Sequence, residues 1–425
     1  MTARAKKKFV GFGFGPIQSG LFLYEARMSG NFSRLVVAEV DAEIVHAVRE
    51  NGGCYNVNIA RQNGIDHVRI VGVELYNPRE AADRQVIIEA VREADELATC
   101  LPSVAFFDVG NETSVARLIS AGLSQRQTAF PTIIYTAENH NHAAEILIER
   151  LQQHTASQSL DQVQALNTVI GKMSGVIADQ EAIQRIGLTT ITPNTPRAIL
   201  VEEFNSILIS RVTLPHYERG IGVFVEKRDL LPFEEAKLYG HNAIHALIGY
   251  LAELRGLSCM AEAGRDQGIM QIARRAFLDE SGAALIQRHA ALGDTLFTSD
   301  GYRAYADDLL ERMIRPNLND LVSRVCRDTV RKLGYDDRLY GTMRLALKYG
   351  IQPKNLALGG AAGVLSLIKR QSELKTPLLG LPRNVAELSE ETLKQMLFAL
   401  WAGKIDSDAD ILTHLTWDAL ITLLN

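Results

Sequence analysis

Short apolar segments alternate with amphipathic stretches of helical periodicity over about the first 190 residues, and this alternation strongly constrains the fold. Buried strands are predicted where a segment is short, β-branched or aromatic, and bounded by turn residues. Such segments are Phe9–Gly13, Arg34–Val40, Ser103–Val109 and Thr132–Thr136. Helical patterns lie between them at 41–51, 83–98 and 143–153. Strands that alternate with helices predict a parallel sheet covered on both faces.

The pattern changes further along the chain. One or two strands are predicted over 198–212, and from about Leu231 long helical patterns dominate, at 233–253, 266–289, 301–314, 318–333 and 339–349. Near the end, Ser389 and Gly403 bound a capped helix. Single cores rarely exceed roughly 250–300 residues, so a chain of 425 residues predicts two domains. We predict an α/β domain over residues 1–210 and a mainly α-helical domain over residues 211–425.

A glycine-rich turn, GFGPIQSG, follows the first predicted strand and precedes an apolar helical run. Strand, tight glycine turn and helix N-terminus together form the context of a dinucleotide fingerprint. Gly13 permits the turn, and Gly15 lets the backbone approach a pyrophosphate. Gln18 occupies the third fingerprint position in place of glycine. The alternative is a glycine turn in an α/β protein that binds no nucleotide.

An acidic residue supports the dinucleotide interpretation. Glu39 stands near the end of the second predicted strand, where a carboxylate holds the ribose 2′-hydroxyl and repels a 2′-phosphate. The first domain is therefore predicted to be Rossmann-like and to bind NAD. The loops FFDVGNET and TAENHNH follow later strands, whose carboxyl ends face ligands in such sheets. The residues expected to contact NAD are Gly13, Gly15, Pro16, Ile17, Glu39, Val109, Gly110 and Asn111.

Three polar residues, Lys237, Asn242 and His245, lie in the helical segment FEEAKLYGHNAIHALIGYL. At about 100° per residue, the three side chains lie at about 0°, 140° and 80° around the helix axis, mostly opposite the apolar side chains. One interpretation is a solvated helix face. The other is a metal-free site for alcohol oxidation. There, a lysine of lowered pKa takes the hydroxyl proton, an asparagine donates to the oxyanion, and a histidine orients the hydroxyl.

The Lys-x4-Asn-x2-His pattern resembles the catalytic motif of the long-chain polyol-specific dehydrogenases, also called the mannitol dehydrogenase family. Similarity extends over about residues 9–370 and includes VFVEKRDL, FLDESGAALIQR, RPNLNDLVSRVCRDTVRKLGYDDRL and LKYGIQPKNLALGGAAG, the last two in the style of its mannitol-1-phosphate branch. The resemblance implies an NAD-dependent, metal-independent oxidoreductase in which Lys237 is the base. It also implies that Asn139, in AEN, is a second oxyanion donor.

The sequence also departs from the family. Besides Gln18, Gln184 replaces an aspartate in a family strand that here reads Ile183–Ile186. About 50 C-terminal residues have no counterpart in the resemblance.

Three arginines, Arg324, Arg327 and Arg331, form one stripe of the helix predicted over 318–333, and Lys332 follows directly. Arginine suits phosphate or carboxylate. With the resemblance, the stripe favours a hexitol phosphate such as mannitol 1-phosphate, oxidised to fructose 6-phosphate. The alternatives are a uronate reductase, a mannitol 2-dehydrogenase, and an inactive NAD(H)-binding sensor. The alternative for the stripe itself is a solvated basic face that includes Asp320 and Asp328.

Composition excludes several other classes of protein. The net charge of −5 and the lack of a long basic block argue against nucleic-acid partners. No window reaches the ~18 apolar residues of a membrane span. His140 and His142 lack the further ligands of a zinc site, so no metal is expected. The four scattered cysteines suit a reducing cytoplasm. We expect a cytoplasmic monomer or homodimer that acts on a small sugar alcohol or its phosphate.

Overall fold

The structure, a computed structural model, describes residues 6–374, 378, 380–403 and 406–425. The chain divides into two compact units, the first ending at Leu231 and the second starting at Pro232. This boundary falls later than the predicted one after residue 210. The reason is that a strand at Val225–Lys227 still pairs within the sheet of the first unit.

Twelve strands in two sheets are described in the first unit. They are β1 Lys7–Phe12, β2 Phe32–Ala38, β3 Tyr55–Arg61, β4 Gly64–Ile70, β5 Val73–Tyr76, β6 Glu96–Thr99, β7 Thr132–Thr136, β8 Val163–Val169, β9 Ser174–Ile177, β10 Ala198–Glu202, β11 Leu208–Ser210 and β12 Val225–Lys227. The larger sheet has the order β12-β11-β8-β7-β6-β1-β2-β5, and the smaller one β4-β3-β10-β9. The six strands β5-β2-β1-β6-β7-β8 pair in parallel, which is the doubly wound Rossmann order.

The six helices of the first unit follow the amphipathic stretches. They are α1 Leu23–Ser29, α2 Ala42–Glu50, α3 Ala81–Glu93, α4 Val115–Ser124, α5 Ala143–Gln152 and α6 Gln180–Ile186. Alternate residues of β1 belong to different cores, because Phe9 packs in one apolar cluster and Val10 in the other. Both faces of the sheet are therefore covered, and the predicted α/β fold with a Rossmann-like first domain is confirmed.

Two predicted strands of the first unit are wrong. The third main strand is β6 rather than Ser103–Val109, where the chain forms a 3-10 turn at Val104–Phe106 and a loop. Val109 is 59% exposed, so this apolar run does not lie in the core. The four-residue β6 was hidden because it follows α3 after a short break, at the end of the helical pattern predicted over 83–98. Gln184 and its neighbours lie in helix α6 instead of a strand.

The second unit is helical among its described residues apart from an isolated bridge. Its α-helices are α7 Leu231–Glu235, α8 Ala243–Leu254, α9 Met260–Ala263, α10 Gln267–Arg275, α11 Ala283–His289, α12 Ser299–Met313, α13 Val322–Val325, α14 Thr329–Lys332, α15 Tyr340–Lys348, α16 Lys354–Lys369, α17 Glu390–Leu400 and α18 Ser407–Leu424. Helix α16 packs on α8, where Gly359 approaches Leu247 closely. None of the described helices is long and apolar enough to cross a membrane.

The helix predicted over 318–333 is broken into α13 and α14. Asp328 has a φ of +57°, which takes the backbone out of the right-handed helical region between the two. The capped C-terminal helix is confirmed as α17. The Ser389 hydroxyl accepts the N–H of Thr392 at 3.2 Å, and Gly403 follows the helix with a φ of +74°.

Candidate active site

The glycine turn lies at the carboxyl end of β1, in the first unit. Gly13 has a φ of +83°, and a Cβ there would stand 2.8 Å from the carbonyl oxygen of Cys100, just past the end of β6. Around Gly15, by contrast, no heavy atom of a described residue beyond its chain neighbours lies within 4 Å of the Cβ position. Pro16 and Ile17 follow as the first helical residues. The turn thus needs glycine at position 13 and leaves open space at position 15, beside the point where the strand order reverses.

Gln18, which replaces the third fingerprint glycine, is fully buried. It begins a π-helical segment, Gln18–Phe22, and its side chain lies against β1. A Cβ on Gly11 would come within 2.4 Å of Gln18 Nε2. Neither amide atom of Gln18 has a hydrogen-bond partner among the described residues. The small residue that permits this close helix–strand contact is therefore supplied by the strand instead of the helix.

Glu39 follows β2 and holds the glycine turn. Its Oε2 accepts the N–H of Phe14 at 2.6 Å, and its Oε1 accepts the N–H of Asp41 at 2.8 Å. Each carboxylate oxygen has a second lone pair, so acceptor capacity is left for a ribose hydroxyl. The open turn and this carboxylate fit a dinucleotide.

Two further loops lie at the carboxyl side of the sheet. Gly110 and Asn111 both adopt positive φ, 102° and 52°, in the loop between β6 and α4, next to the exposed Val109. Asn139 follows β7, directly after the buried Glu138.

Glu138 ties β6 to β7. Its carboxylate accepts the Thr99 hydroxyl at 2.9 Å and the Leu101 N–H at 2.8 Å. Burial raises the pKa of Glu138 to about 7, although these hydrogen bonds lower it. The residue before Asn139 is thus anchored to the neighbouring strand.

In the second unit, Lys237 and Asn242 lie in a π-helical segment, Ala236–Asn242, between α7 and α8. Five residues span about 140° of rotation in an α-helix. In a π-helix, whose hydrogen bonds join residues five apart, such residues lie nearly above one another. The wide turn therefore brings Lys237 and Asn242 to one side, and His245 follows in the first turn of α8. The α-helical geometry assumed from the sequence is wrong here.

A second π-helical segment, Ala276–Gly282, supports the first one. The carbonyl of Tyr239 accepts the Ser281 hydroxyl at 2.8 Å and the Thr342 hydroxyl at 3.2 Å. Gly240 has no room for a side chain, because a Cβ would lie 2.8 Å from the Tyr302 hydroxyl. Groups outside the helix thus hold the wide turn.

Lys237 is half-buried, as are Asn242 and His245. Burial lowers the pKa of Lys237 to about 8, with Arg338 acting in the same direction and Glu234 in the opposite one. A base whose pKa lies near the operating pH is suited to proton transfer. These properties argue against a solvated helix face.

His245 pairs with a carboxylate that the sequence did not reveal. Its Nε2 lies 2.8 Å from Oδ2 of Asp320, whose side chain is 3% exposed. Burial alone would raise the pKa of Asp320, but the hydrogen bond from His245 and the charges of His245 and Arg324 lower it to about 2. The separation of 75 positions along the chain explains why no local pattern marks the pair.

A cleft of about 240 Å³ adjoins His245. Its lining includes every predicted anion-binding residue, one further cation and one carboxylate. The titratable side chains that line it are His245, Arg324, Arg327, Asp328, Arg331, Lys332 and Arg338. The cations meet because the chain turns between α13 and α14, not because they share one helical stripe. The extra residue, Arg338, lies in the segment GYDDRL. The resemblance of this segment to the family was the only sequence signal that pointed to Arg338.

The cations of the cleft differ in their surroundings. Lys332 is buried, and its amine donates to the carbonyl of Val325. Burial, with the charges of Arg338 and Arg331, lowers the pKa of Lys332 to about 8. Asp337 pairs with Arg331 at 3.3 Å and with Arg338 at 2.8 Å. The arginines Arg324, Arg327 and Arg331 are exposed to solvent in the cleft.

The two histidines weighed as metal ligands do not gather further ligands. The N–H of His142 donates to Nδ1 of His140 at 3.1 Å. Within the described ranges, no group of three or more His, Cys, Asp or Glu side chains could hold a metal ion.

Comparisons with known proteins agree with this geometry. The sequence profile of the mannitol dehydrogenase C-terminal domain matches residues 229–397, which contain the π-helical segment and the cleft. Mannitol-1-phosphate 5-dehydrogenase of Halalkalibacterium halodurans is 28% identical over 389 residues, covering 90% of this chain and 96% of the relative. The enzyme of the same name from Anoxybacillus flavithermus is 29% identical over 363 residues, covering 84% and 86%. Residues 229–397 therefore carry the mannitol dehydrogenase C-terminal domain, and most of the chain is similar to mannitol-1-phosphate 5-dehydrogenases.

Solved structures show the same fold as this chain. A substrate-free D-sorbitol dehydrogenase superposes with a TM-score of 0.76 at 12% identity, covering 99% of this chain and 93% of the other. Pseudomonas fluorescens mannitol 2-dehydrogenase, in a ternary complex with NAD and D-mannitol, gives 0.70 at 15% identity, covering 100% and 93%. The domain match and the curated relatives identify the chain as an oxidoreductase of the polyol dehydrogenase type.

Proposed function

We propose that this dehydrogenase interconverts a hexitol phosphate, such as mannitol 1-phosphate, and the ketose fructose 6-phosphate, with NAD as cofactor. One observation carries the proposal. The second unit combines a half-buried Lys237 of lowered pKa with a cationic cleft, and His245 belongs to both the Lys-x4-Asn-x2-His motif and the cleft lining. The group that reacts and the group that is anchored can therefore belong to one small molecule.

The residues have complementary roles in polyol oxidation. Neutral Lys237 accepts the hydroxyl proton on Nζ, and Asn242 donates to the oxygen as negative charge develops. Asn139, from the first unit, is the second proposed donor, and His245 orients the hydroxyl. NAD, when bound, supplies the hydride acceptor. In ketose reduction, the protonated Lys237 returns its proton to the oxygen.

The first unit supplies the NAD site in this proposal. The backbone at Gly13, Gly15, Pro16 and Ile17 faces the pyrophosphate, and Glu39 accepts from the ribose. Val109, Gly110 and Asn111 border the cofactor from the next loop. Because Glu39 is a carboxylate, we expect NAD to be preferred over NADP.

The cleft favours a phosphate. Five cationic side chains and one carboxylate, Asp328, line it, which leaves a surplus of positive charge. Exposed arginine guanidinium groups bind phosphate oxygens in a bidentate way. A uronate carboxylate is the nearest alternative, because it also pairs with arginine.

The location proposed for the enzyme is the cytoplasm. All four cysteines are free thiols. Unpaired cysteines are typical of proteins in a reducing compartment.

A substrate panel tests the function. NADH absorbance is followed with the purified chain and fructose 6-phosphate, fructose, tagaturonate or fructuronate. Of the four compounds, we expect only fructose 6-phosphate to cause rapid NADH loss. Reaction with fructose alone would instead indicate a mannitol 2-dehydrogenase, and reaction with a uronate a uronate reductase. NADH binding without reaction in any sample would indicate a sensor.

A further inference from the structure

Asp320 joins two residues of the cleft through its two carboxylate oxygens. Oδ2 lies 2.8 Å from Nε2 of His245. Oδ1 accepts from Arg324, with 2.9 Å to Nε and 2.8 Å to Nη2. The carboxylate is almost fully buried, while His245 and Arg324 both line the cleft. A single buried carboxylate thus holds two of the side chains that line the cleft.

The backbone around Asp320 is itself fixed. Cys259 and Leu321 form an isolated antiparallel bridge. The carbonyl of Asp320 accepts the N–H of Met260 at 2.9 Å, and the N–H of Val322 donates to the carbonyl of Ser258 at 3.0 Å. The carboxylate therefore has little freedom to follow movements of His245 or Arg324.

The pairing decides which nitrogen of His245 carries a proton. An ionised carboxylate only accepts hydrogen bonds, so Nε2 of His245 must be the donor. In the neutral imidazole, Nδ1 then has a lone pair and acts as an acceptor. A polyol hydroxyl can donate to that nitrogen, whereas the amide of Asn242 is a donor. The two side chains are thus complementary toward a hydroxyl-rich substrate.

We propose that Asp320 is a positioning residue of the dehydrogenase: it fixes His245 as a hydrogen-bond acceptor for the polyol and holds Arg324 for the anionic end of the same molecule. The inference rests on the proposed function for the identity of that molecule. In this role, Asp320 sets the distance between the end of the site that binds the hydroxyl and the end that binds the anion. Substrate length would therefore be selected through Asp320.

The Asp320→Asn variant tests the tautomer. Arg324 can only donate, so the new amide must turn its oxygen to Arg324 and its NH₂ group to Nε2 of His245. That arrangement forces the proton onto Nδ1. Nitrogen-15 NMR of the full chain labelled in histidine distinguishes the two tautomers. We expect Nε2–H in the wild type and Nδ1–H in Asp320→Asn, and the same tautomer in both proteins would overturn the inference.

Asp328→Asn is the matched control, because it removes one negative charge from the same cleft. Asparagine is tolerated at the positive φ of position 328. Asp328 makes no hydrogen bond with His245 within the described part of the chain. We expect the His245 tautomer of this control to match the wild type, and a switch there would contradict the role of Asp320.

Steady-state kinetics with NADH and fructose 6-phosphate give the second readout. We expect Asp320→Asn to lower kcat by about 10- to 100-fold, the usual effect of removing a carboxylate that orients a functional histidine. In a His245→Ala background the same change should lower kcat by less than about threefold, because the two residues act as a unit. Equal losses in both backgrounds would show a merely structural role. If the wild type reduces no ketose, the proposed function fails, while the tautomer result still stands.

Discussion

At the residue scale, the proposed chemistry depends on the protonation of one amine, that of Lys237. Lys237 must be neutral to take a proton from the polyol and protonated to return one to the ketose. Its pKa of about 8 is set first by burial, while the Arg338 guanidinium lowers it further. The oxidation rate should therefore rise as the pH passes about 8, and the reduction rate should fall.

Replacing Arg338 tests that electrostatic effect. In Arg338→Met a nearby cation is lost, so the pKa of Lys237 rises and neutral amine forms only at higher pH. We expect the inflection of kcat/KM for polyol oxidation to move up by roughly half a pH unit. Arg327→Met is the control: it also removes a cleft cation, but Arg327 is not among the charges that shift Lys237. An unchanged inflection in Arg338→Met would contradict this effect.

Cofactor choice is a second property of a single residue. Glu39→Gln keeps an acceptor for Phe14 but removes the charge that repels a 2′-phosphate. We expect the preference for NAD over NADP, measured as the ratio of kcat/KM values, to narrow about tenfold, equivalent to about 1.4 kcal/mol. Glu43→Gln, an exposed change on α2, should leave the ratio as it is. An unaltered ratio in Glu39→Gln would argue against a ribose contact.

At the element scale, the π-helical segment Ala236–Asn242 brings the proposed catalytic side chains Lys237 and Asn242 together. Ser281→Ala removes one of the hydrogen bonds to the Tyr239 carbonyl. Loss of a neutral hydrogen bond costs about 1 kcal/mol of unfolding free energy. We expect kcat to fall by more than about tenfold, since misplacement by about 1 Å can lower a rate 10²-fold. Denaturant unfolding and turnover are measured on the same variant. A lower unfolding free energy with an unchanged kcat would refute the role of this segment in positioning the side chains.

The C-terminal helices, which the resemblance left unexplained, pack against the other helices of the second unit. The indole N–H of Trp401 donates to the Leu333 carbonyl at 3.0 Å, and its ring lies 5.0 Å from those of Tyr335 and Tyr340. Asp406 accepts from the hydroxyl of Tyr335. The C-terminal segment thus covers the loop that leads to Arg338.

We expect Trp401→Ala to lower the unfolding free energy by about 3–5 kcal/mol, because a buried aromatic side chain is removed. Urea unfolding of the full chain measures it. Ile421→Ala on α18 is the control, since this side chain is 43% exposed. Equal midpoints for both variants would show that Trp401 does not secure the segment.

These elements also show what sequence can predict. Strands β1, β2 and β7 and the turn at Gly13 carry clear local signals, so their prediction succeeded. Strand β4 was not predicted, because it has mostly exposed or half-buried residues and no buried apolar run. The π-helical turn has the same residues as an α-helical one, so periodicity at 3.6 residues misplaced Asn242. Contacts such as that of His245 with Asp320 form only on folding.

At the scale of the whole molecule, the residues of the proposed cofactor site and those of the proposed catalytic site lie mainly in different units. The glycine turn and Glu39 belong to the first unit, whereas Lys237, Asn242, His245 and the cationic cleft belong to the second. A change at Lys237 should therefore affect turnover without altering the residues proposed to hold NAD. This separation makes binding and chemistry measurable independently.

The most direct test is Lys237→Ala, assayed for fructose 6-phosphate reduction and for NADH binding by fluorescence titration. We expect kcat to fall by at least about 10²-fold, the contribution of a general acid–base group, with the NADH dissociation constant within about twofold of the wild type. Lys354→Ala, at an exposed lysine of α16, is the matched control and should retain full activity. Full turnover in Lys237→Ala would contradict its role as the base.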